Sequence, residues 1–197
     1  VVEEKLTRAR RRSDEAIELI NNVLKISKLR IEDSFIKEEV DIASILARAI
    51  KSAKVNAEAK GVKLSLINHR KEKHTIEGDP LLIQIALSNI ISNAIKYNNM
   101  DGIVEIEVDE DKDNLIIKVC DNGVGIPKEE TEKIFNDFYR ASNIKHSSVE
   151  GSGLGLSVVK QIVERHNGTI NVQSPSHLFT NKYPGTCIKI TLPFLKK

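Results

Sequence analysis

The sequence predicts an α+β fold, a two-layer α/β sandwich in which three helices cover one face of a mixed sheet of about five strands, preceded by one long amphipathic helix. Three observations predict it. Segments of helical period and of period two are interspersed, without the regular strand–helix alternation of parallel βαβ units. Two strand-like runs, Ile103–Val108 and Leu115–Cys120, are joined by the short polar turn 109–114, as in a hairpin. Helix boundaries carry capping residues, a carboxylate at the start and a glycine at the stop.

Residues 1–30 contain no Gly or Pro, and Leu6, Ala9, Ile17, Ile20 and Leu24 recur at three- and four-residue steps. Such a stripe requires a partner helix. The basic cluster Arg8–Arg12 reads as a solvated helix face. Residues 31–40 read as a linker with a short strand. Asp41 then caps a helix through Ala59 or Lys60, and Gly61 stands at its stop. A strand is expected at 62–67 and a short one at 75–77. Asp79-Pro80 opens a second helix reaching about Tyr97, since a capping carboxylate followed by proline suits a first turn. A third helix is expected over about 154–166, followed by strands near 169–173 and 186–192.

Composition bounds the partners. The 197 residues are 40% hydrophobic and 29% charged, an ordinary globular mixture. Thirty basic against 28 acidic residues leave a formal charge of +2, too small a bias for a nucleic-acid partner. No apolar run approaches the roughly 18 residues of a membrane span, so no membrane contact by this segment is expected, and no signal-like start is present. The chain starts at Val1 inside a helical pattern, as expected of a piece of a longer, cytoplasmic or membrane-tethered protein. The two cysteines, Cys120 and Cys187, are far apart and each lies in a strand-like run, which predicts two buried free thiols.

Three segments carry chemistry. In the helix 80–97 apolar residues surround most of the circumference, yet Gln84, Ser88, Asn89, Ser92, Asn93 and Lys96 form a narrow polar strip. A buried amide without partners costs about 1–3 kcal/mol, so the strip predicts either an internal hydrogen-bond network or a ligand. Amide oxygens suit a hard cation such as Mg²⁺, which shares substrate phosphates. Next, Asp121-Asn122-Gly123-Val124-Gly125-Ile126-Pro127 leaves a strand whose residues Leu115, Ile117 and Val119 share a face, and period two puts Asp121 on that face. A carboxylate there needs a donor, such as the exocyclic amine of adenine. Finally, Gly151-Ser152-Gly153-Leu154-Gly155-Leu156 opens the last helix, where unpaired amides favour phosphate. The last two segments are each a weak signal alone.

In this order and spacing they are specific. Together LSNIISNAIKY (87–97), DNGVGIP (121–127), IFNDFYR (134–140) and GSGLGLSVVKQIVERHNGTI (151–170) resemble the N, G1, F and G2 boxes of sensor histidine kinases. That family belongs to an ATP-binding superfamily with DNA gyrase, mismatch-repair ATPases and a heat-shock chaperone. The resemblance covers about residues 38–193, and residues 11–30 are similar to the second helix of the family's dimerisation hairpin. It implies three regions: 1–30 as the incomplete hairpin, 31–40 as linker and 41–197 as the ATP-binding catalytic domain.

The resemblance further implies roles. Asn93 would hold Mg²⁺ between the ATP phosphates, with Asn89 supporting it one turn earlier. Lys96 would contact phosphate and Tyr97 would border the pocket. Asp121 would bond the adenine amine, with Gly123, Gly125 and Ile126 shaping its floor. Gly151, Gly153 and Gly155, with Leu154 and Leu156, would present the hinge of a lid over 127–152 to the phosphates, and Arg140 would add a phosphate contact. Phe135 and Phe138 would anchor the lid. Implied partners are a second copy through the N-terminal helix and a response regulator protein.

The implied reaction is transfer of the γ-phosphoryl group to a histidine, where positioning and charge stabilisation dominate. None of His69, His74, His146, His166 and His177 lies on the opening helix or precedes an acidic residue, so the acceptor is expected outside this chain, and His146 and His166 read as surface residues. ATPases of the superfamily carry a glutamate four residues before the metal asparagine. Here that position is Asn89, which cannot accept a proton from water. A sigma-factor-regulating serine kinase and an inert ATP-binding module are the other readings.

Overall fold

The computed structural model describes residues 37–70, 75–145, 149 and 151–195, with the single positions Leu6, Ser13 and Ile20. Those three positions are helical and exposed; otherwise the predicted opening helix, its basic cluster Arg8–Arg12 and most of the linker lie outside the described residues, as does His146.

The chain begins with β1 (Glu38–Val40) and α1 (Ile42–Ala59). The Asp41 carboxylate accepts the Ala43 N–H at 3.0 Å, replacing one bond that a helix start leaves unmade. Ile42, Ile45, Leu46 and Ala49 recur on one buried face of α1. Gly61 then adopts φ 71°, the left-handed conformation that ends a helix cheaply only in glycine. Next come β2 (Lys63–Asn68), β3 (Ile76–Gly78) and α2 (Pro80–Lys96). Asp79 caps α2 through bonds from the Leu81 and Leu82 amides, at 2.9 and 3.1 Å. The hairpin β4 (Ile103–Glu110) and β5 (Asn114–Asp121) follows, then two 3₁₀ turns at Lys128–Glu130 and Lys133–Phe135. α3 (Gly155–Arg165), β6 (Thr169–Gln173) and β7 (Cys187–Pro193) complete the domain.

Five strands form one mixed sheet in the order β2-β4-β5-β7-β6, with β2 and β4 parallel and the other neighbours antiparallel; β1 and β3 make a separate two-stranded ribbon. Val104, Ile106 and Val108 of β4, Leu115, Ile117 and Val119 of β5, and Ile188, Ile190 and Leu192 of β7 are buried together. Period two turns all nine to the face that α2 covers, and α2 packs between α1 and α3. The core therefore sits between one helical layer and one sheet, as the sequence predicts.

The opposite face carries a row set by register. Ser65 pairs with Glu105, Glu105 with Cys120, Cys120 with Cys187, and Cys187 with Gln173. Cys120 and Cys187 are not the two free thiols expected: they are joined as a disulfide across β5 and β7. A separation of 67 residues hid their adjacency, because strand pairing, not chain distance, brings them side by side. Among the described residues no helix is long and apolar enough to cross a membrane.

Candidate functional site

α2 is nearly all apolar because it is the middle helix: Ile83, Ala86, Leu87, Ile90, Ile91, Ala94 and Ile95 are buried. Of its polar strip, Asn89, Ser92, Asn93 and Lys96 line one cavity, while Gln84 Oε1 accepts from Arg48 Nε at 3.1 Å. That cavity, of about 150 Å³, is bounded by α2, β5, the segment 124–144 and the start of α3.

Asn89 and Asn93 line the cavity from α2. Asn89 Nδ2 donates to the Ile85 carbonyl at 3.1 Å, which fixes the amide and turns its oxygen outward. A methyl group on Gly155 would sit 3.5 Å from Asn89 Oδ1 and 3.9 Å from Asn93 Nδ2, so the first turn of α3 faces both amides. No side chain caps that turn through Leu154. Its amides and helix dipole are thus directed at the same wall as the amides of α2, an arrangement that attracts anions.

One turn further along α2, Lys96 and Tyr97 meet the glycine-rich loop. A methyl on Gly151 would lie 3.1 Å from Lys96 Nζ and 3.2 Å from Tyr97 Oη. Gly153 has φ 74°, and any side chain there would press on the Phe138 backbone at 2.6 Å. From the facing segment, Arg140 Nη2 donates to the carbonyls of Val149 at 2.6 Å and Ile144 at 3.1 Å. Arg140 Nε is buried and has no hydrogen-bond partner among the described residues. Arg140 as a residue lines the cavity and adds positive charge to that side of it.

Across the cavity stands Asp121, only 6% exposed at the end of β5. Its Oδ1 accepts the Gly123 amide at 2.8 Å and the Thr186 amide at 3.2 Å. Burial raises its pKa to about 7, against the opposing pull of those two amides. Any side chain on Gly123 would collide with the Tyr97 carbonyl. Gly125, at φ 67°, is pressed against Pro184. These contacts fix the loop so that the Asp121 carboxyl faces the cavity with acceptor capacity left for one donor.

Asn89, Asn93, Lys96, Tyr97, Asp121, Gly125, Ile126, Arg140, Gly151, Gly153, Gly155 and Leu156 all line one cavity. Gly123 lies behind Asp121, and Leu154 packs into the main core at 1% exposure. Phe138, expected with Phe135 to anchor the lid, leaves its ring 64% exposed, and Ile134 takes the buried position. His166, expected at the surface, is 4% exposed. Its Nε2 accepts the Asp79 amide at 3.0 Å and its Nδ1 faces the Ile162 carbonyl at 2.7 Å, tying the end of α3 to the start of α2. Sequence reasoning missed Thr186 and Ser176. The Ser176 hydroxyl donates to the Asp121 carbonyl at 2.7 Å, a contact across 55 residues that no local pattern signals.

A family model described as histidine kinase-, DNA gyrase B- and HSP90-like ATPase matches residues 78–196. The sensor histidine kinase WalK of Bacillus subtilis is 33% identical over 186 residues, covering 92% of this chain and 29% of that protein. An uncharacterized sensor-like histidine kinase, ycf26, of Pyropia yezoensis is 29% identical over 201 residues, covering 95% of this chain and 30% of that protein. The chain thus spans under a third of the length of these relatives. Among solved structures, the mycobacterial sensor histidine kinase MprB aligns with a TM-score of 0.69 at 28% identity, covering 82% of this chain and all of that one. Full-length ShkA in complex with AMPPNP gives 0.77 at 22% identity, covering 100% of this chain and 40% of that one. The histidine kinase ThkA in complex with the response regulator TrrA gives 0.74 at 21%, covering 93% and 49%. With its four motifs gathered on one cavity and the family model matching most of its length, the chain belongs to the histidine kinase-, DNA gyrase B- and HSP90-like ATPases.

Proposed function

We propose that this chain binds Mg-ATP and transfers the γ-phosphoryl group to a histidine on a dimerisation hairpin whose acceptor helix it does not contain, as a catalytic fragment of a two-component sensor kinase. The observation that carries this reading is the cavity itself. It joins a buried acceptor, Asp121, to an anion-attracting wall of Lys96, Arg140 and the uncapped start of α3. One end suits a base that donates from an amine, the other a phosphate chain.

Asp121 would orient adenine, with Gly123, Gly125 and Ile126 at the ring. Asn93, supported by Asn89, would hold Mg²⁺, and two amide oxygens beside a phosphate site fit its preference for few protein ligands. When bound, Mg²⁺ would supply charge neutralisation on the phosphates. Lys96, Arg140 and the amides of Gly151, Gly153 and Gly155 would stabilise charge on the transferring group. The cavity, at about 150 Å³, is near the size that admits a single benzene-like ring, so a whole nucleotide would extend beyond it along the segment 127–152, the proposed lid. Gly151, Gly153 and Gly155 would hinge the lid beside Leu154 and Leu156, with Phe135 and Phe138 as its anchors.

Transfer is favoured over hydrolysis by Asn89, since an amide in that position cannot deprotonate water. The three-region division, 1–30 as hairpin helix, 31–40 as linker and 41–197 as catalytic domain, belongs to the same reading. So do a homodimer through the N-terminal helix, a response regulator as the next phosphoryl acceptor and a cytoplasmic location. The complex of ThkA with its regulator supports the partner class.

The test mixes this chain with a separate histidine-bearing hairpin, Mg²⁺ and ATP labelled on its γ-phosphate. Label is expected on the hairpin, and Asn93→Ala or Asp121→Ala should lower its rate at least about a hundredfold, the scale on which loss of one charge-stabilising contact acts. Free phosphate released without labelled hairpin would favour the ATPase reading. Nucleotide bound with neither outcome would leave an inert binding module.

A further inference from the structure

The outer face of the sheet, opposite the helices, carries a group of side chains that the nucleotide site does not use. Glu105, Cys120 and Cys187 stand abreast on β4, β5 and β7. His177 reaches over this row from the loop between β6 and β7. The potential ligand atoms of Cys120, Cys187 and His177 all lie within 4.8 Å of one another, and His177 Nε2 is 2.9 Å from Glu105 Oε1. We propose that, once the Cys120–Cys187 disulfide is reduced, these four residues form a tetrahedral site for a zinc-class divalent cation.

The chemistry of the set selects the metal. Two thiolates and an imidazole suit Zn²⁺ or Co²⁺, whereas Mg²⁺ and Ca²⁺ take oxygen ligands. With metal–sulfur bonds of about 2.3 Å and metal–nitrogen bonds of about 2.0 Å, ligand atoms in a tetrahedron stand roughly 3–4 Å apart. The ligand atoms of Cys120, Cys187 and His177 already lie within 4.8 Å of one another, and Glu105 stands beside His177 as the fourth group. Glu105 is the carboxylate available, because Glu107, on the same face, is bound to Lys118 at 2.8 Å.

The reach of His177 is fixed by its neighbour. Ser176 is buried, its amide donates to the Pro184 carbonyl at 2.9 Å, and its hydroxyl also accepts the Leu178 amide at 3.1 Å. The imidazole therefore projects from a pinned backbone, as a metal ligand must.

The site is gated by redox state. A dithiol reductant gives two electrons and two protons to the disulfide; the S–S bond breaks, two thiols form, and the reductant closes its own disulfide. Binding of the cation then releases the two thiol protons to solvent, while His177 binds as the neutral imidazole. In a compartment kept reducing by glutathione or thioredoxin, the dithiol is the resting form.

The test uses the whole chain, reduced under nitrogen with a trialkylphosphine and titrated with Co²⁺, then Zn²⁺. The expected result is a sulfur-to-cobalt charge-transfer absorption with tetrahedral visible bands, saturating at one Co²⁺ per chain and bleached by Zn²⁺. The oxidised protein should show neither. His177→Ala and Glu105→Gln, both at accessible side chains that leave the core intact, should each weaken Co²⁺ binding at least about tenfold, the scale on which loss of a supporting group acts. Cys120→Ser with Cys187→Ser should abolish the charge-transfer band. No band in the reduced protein, or a band whose Co²⁺ affinity His177→Ala leaves unchanged, overturns the proposal.

Discussion

Asp121 holds the sharpest conflict between stability and ligand chemistry in the molecule. Burial is the larger influence on its carboxyl and raises its pKa to about 7 from 3.8, while the Gly123 and Thr186 amides work in the other direction. An acid whose folded pKa is raised makes the folded state bind its proton more tightly than the unfolded chain does. Stability without nucleotide is therefore lost as pH rises from about 4 to above 7. Asp121→Asn keeps an oxygen for both amides and removes the charge. The variant is expected to match the parent near pH 4 and to exceed it near pH 8 by roughly 4 kcal/mol, since each tenfold difference in proton affinity between folded and unfolded chain is worth about 1.4 kcal/mol. It should bind nucleotide at least about tenfold more weakly, since a charge-assisted bond becomes a neutral one. Urea denaturation of both proteins at the two pH values reads the first effect. Parallel pH profiles for variant and parent would remove the case for a strained carboxyl. The sequence revealed which residue this was, because period two along β5 put Asp121 on the buried face. It did not reveal Thr186 and Ser176, whose bonds to Asp121 depend on β5–β7 pairing and on a loop 55 residues away.

Elements were legible where local chemistry fixes them. Asp41, Gly61 and the Asp79-Pro80 pair each satisfy or end a helix within four residues, so helix bounds fall within a residue or two of the pattern. What joins one element to another was not legible. His166 looked like a surface residue near a helix end, yet it ties the end of α3 to the cap of α2. Its Nε2 must stay unprotonated to accept the Asp79 amide, and burial holds its pKa below the ordinary 6.5. The sign is fixed: a base with a lowered folded pKa contributes stability above 6.5 that disappears as pH falls through the folded value. His166→Ala should therefore be less stable than the parent at neutral pH, by about 1–3 kcal/mol for the Asp79 amide left buried and unpaired. The gap should narrow toward pH 5. A constant gap between pH 7.5 and pH 5, measured by urea midpoints, would show that the imidazole acts by packing alone.

At the scale of the whole molecule, one sheet separates two chemistries. Its inner face, with the helical layer, makes both the core and the cavity; its outer face carries the Glu105–Cys120–Cys187 row and His177. Because the cavity opens between α2, β5, the lid and α3, a ligand there would bridge the central helix, the middle of the sheet and the last helix. Binding should consequently stabilise the domain as a unit. Occupancy at about a hundred times the dissociation constant adds about 2.7 kcal/mol, and a domain of this size gains about 2–4 °C per kcal/mol. Mg-ATP is thus expected to raise the melting temperature by roughly 5–10 °C. Chelation of Mg²⁺ should remove most of the rise if Asn93 and the phosphates share the ion, and Asn93→Ala should lose the same portion even with Mg²⁺ present. The two manipulations act on one interaction, so combining them should cost no more than either alone. A full shift persisting in EDTA would mean that the nucleotide is held by Asp121, Lys96 and Arg140 without a metal, and the amide strip of α2 would then need another explanation.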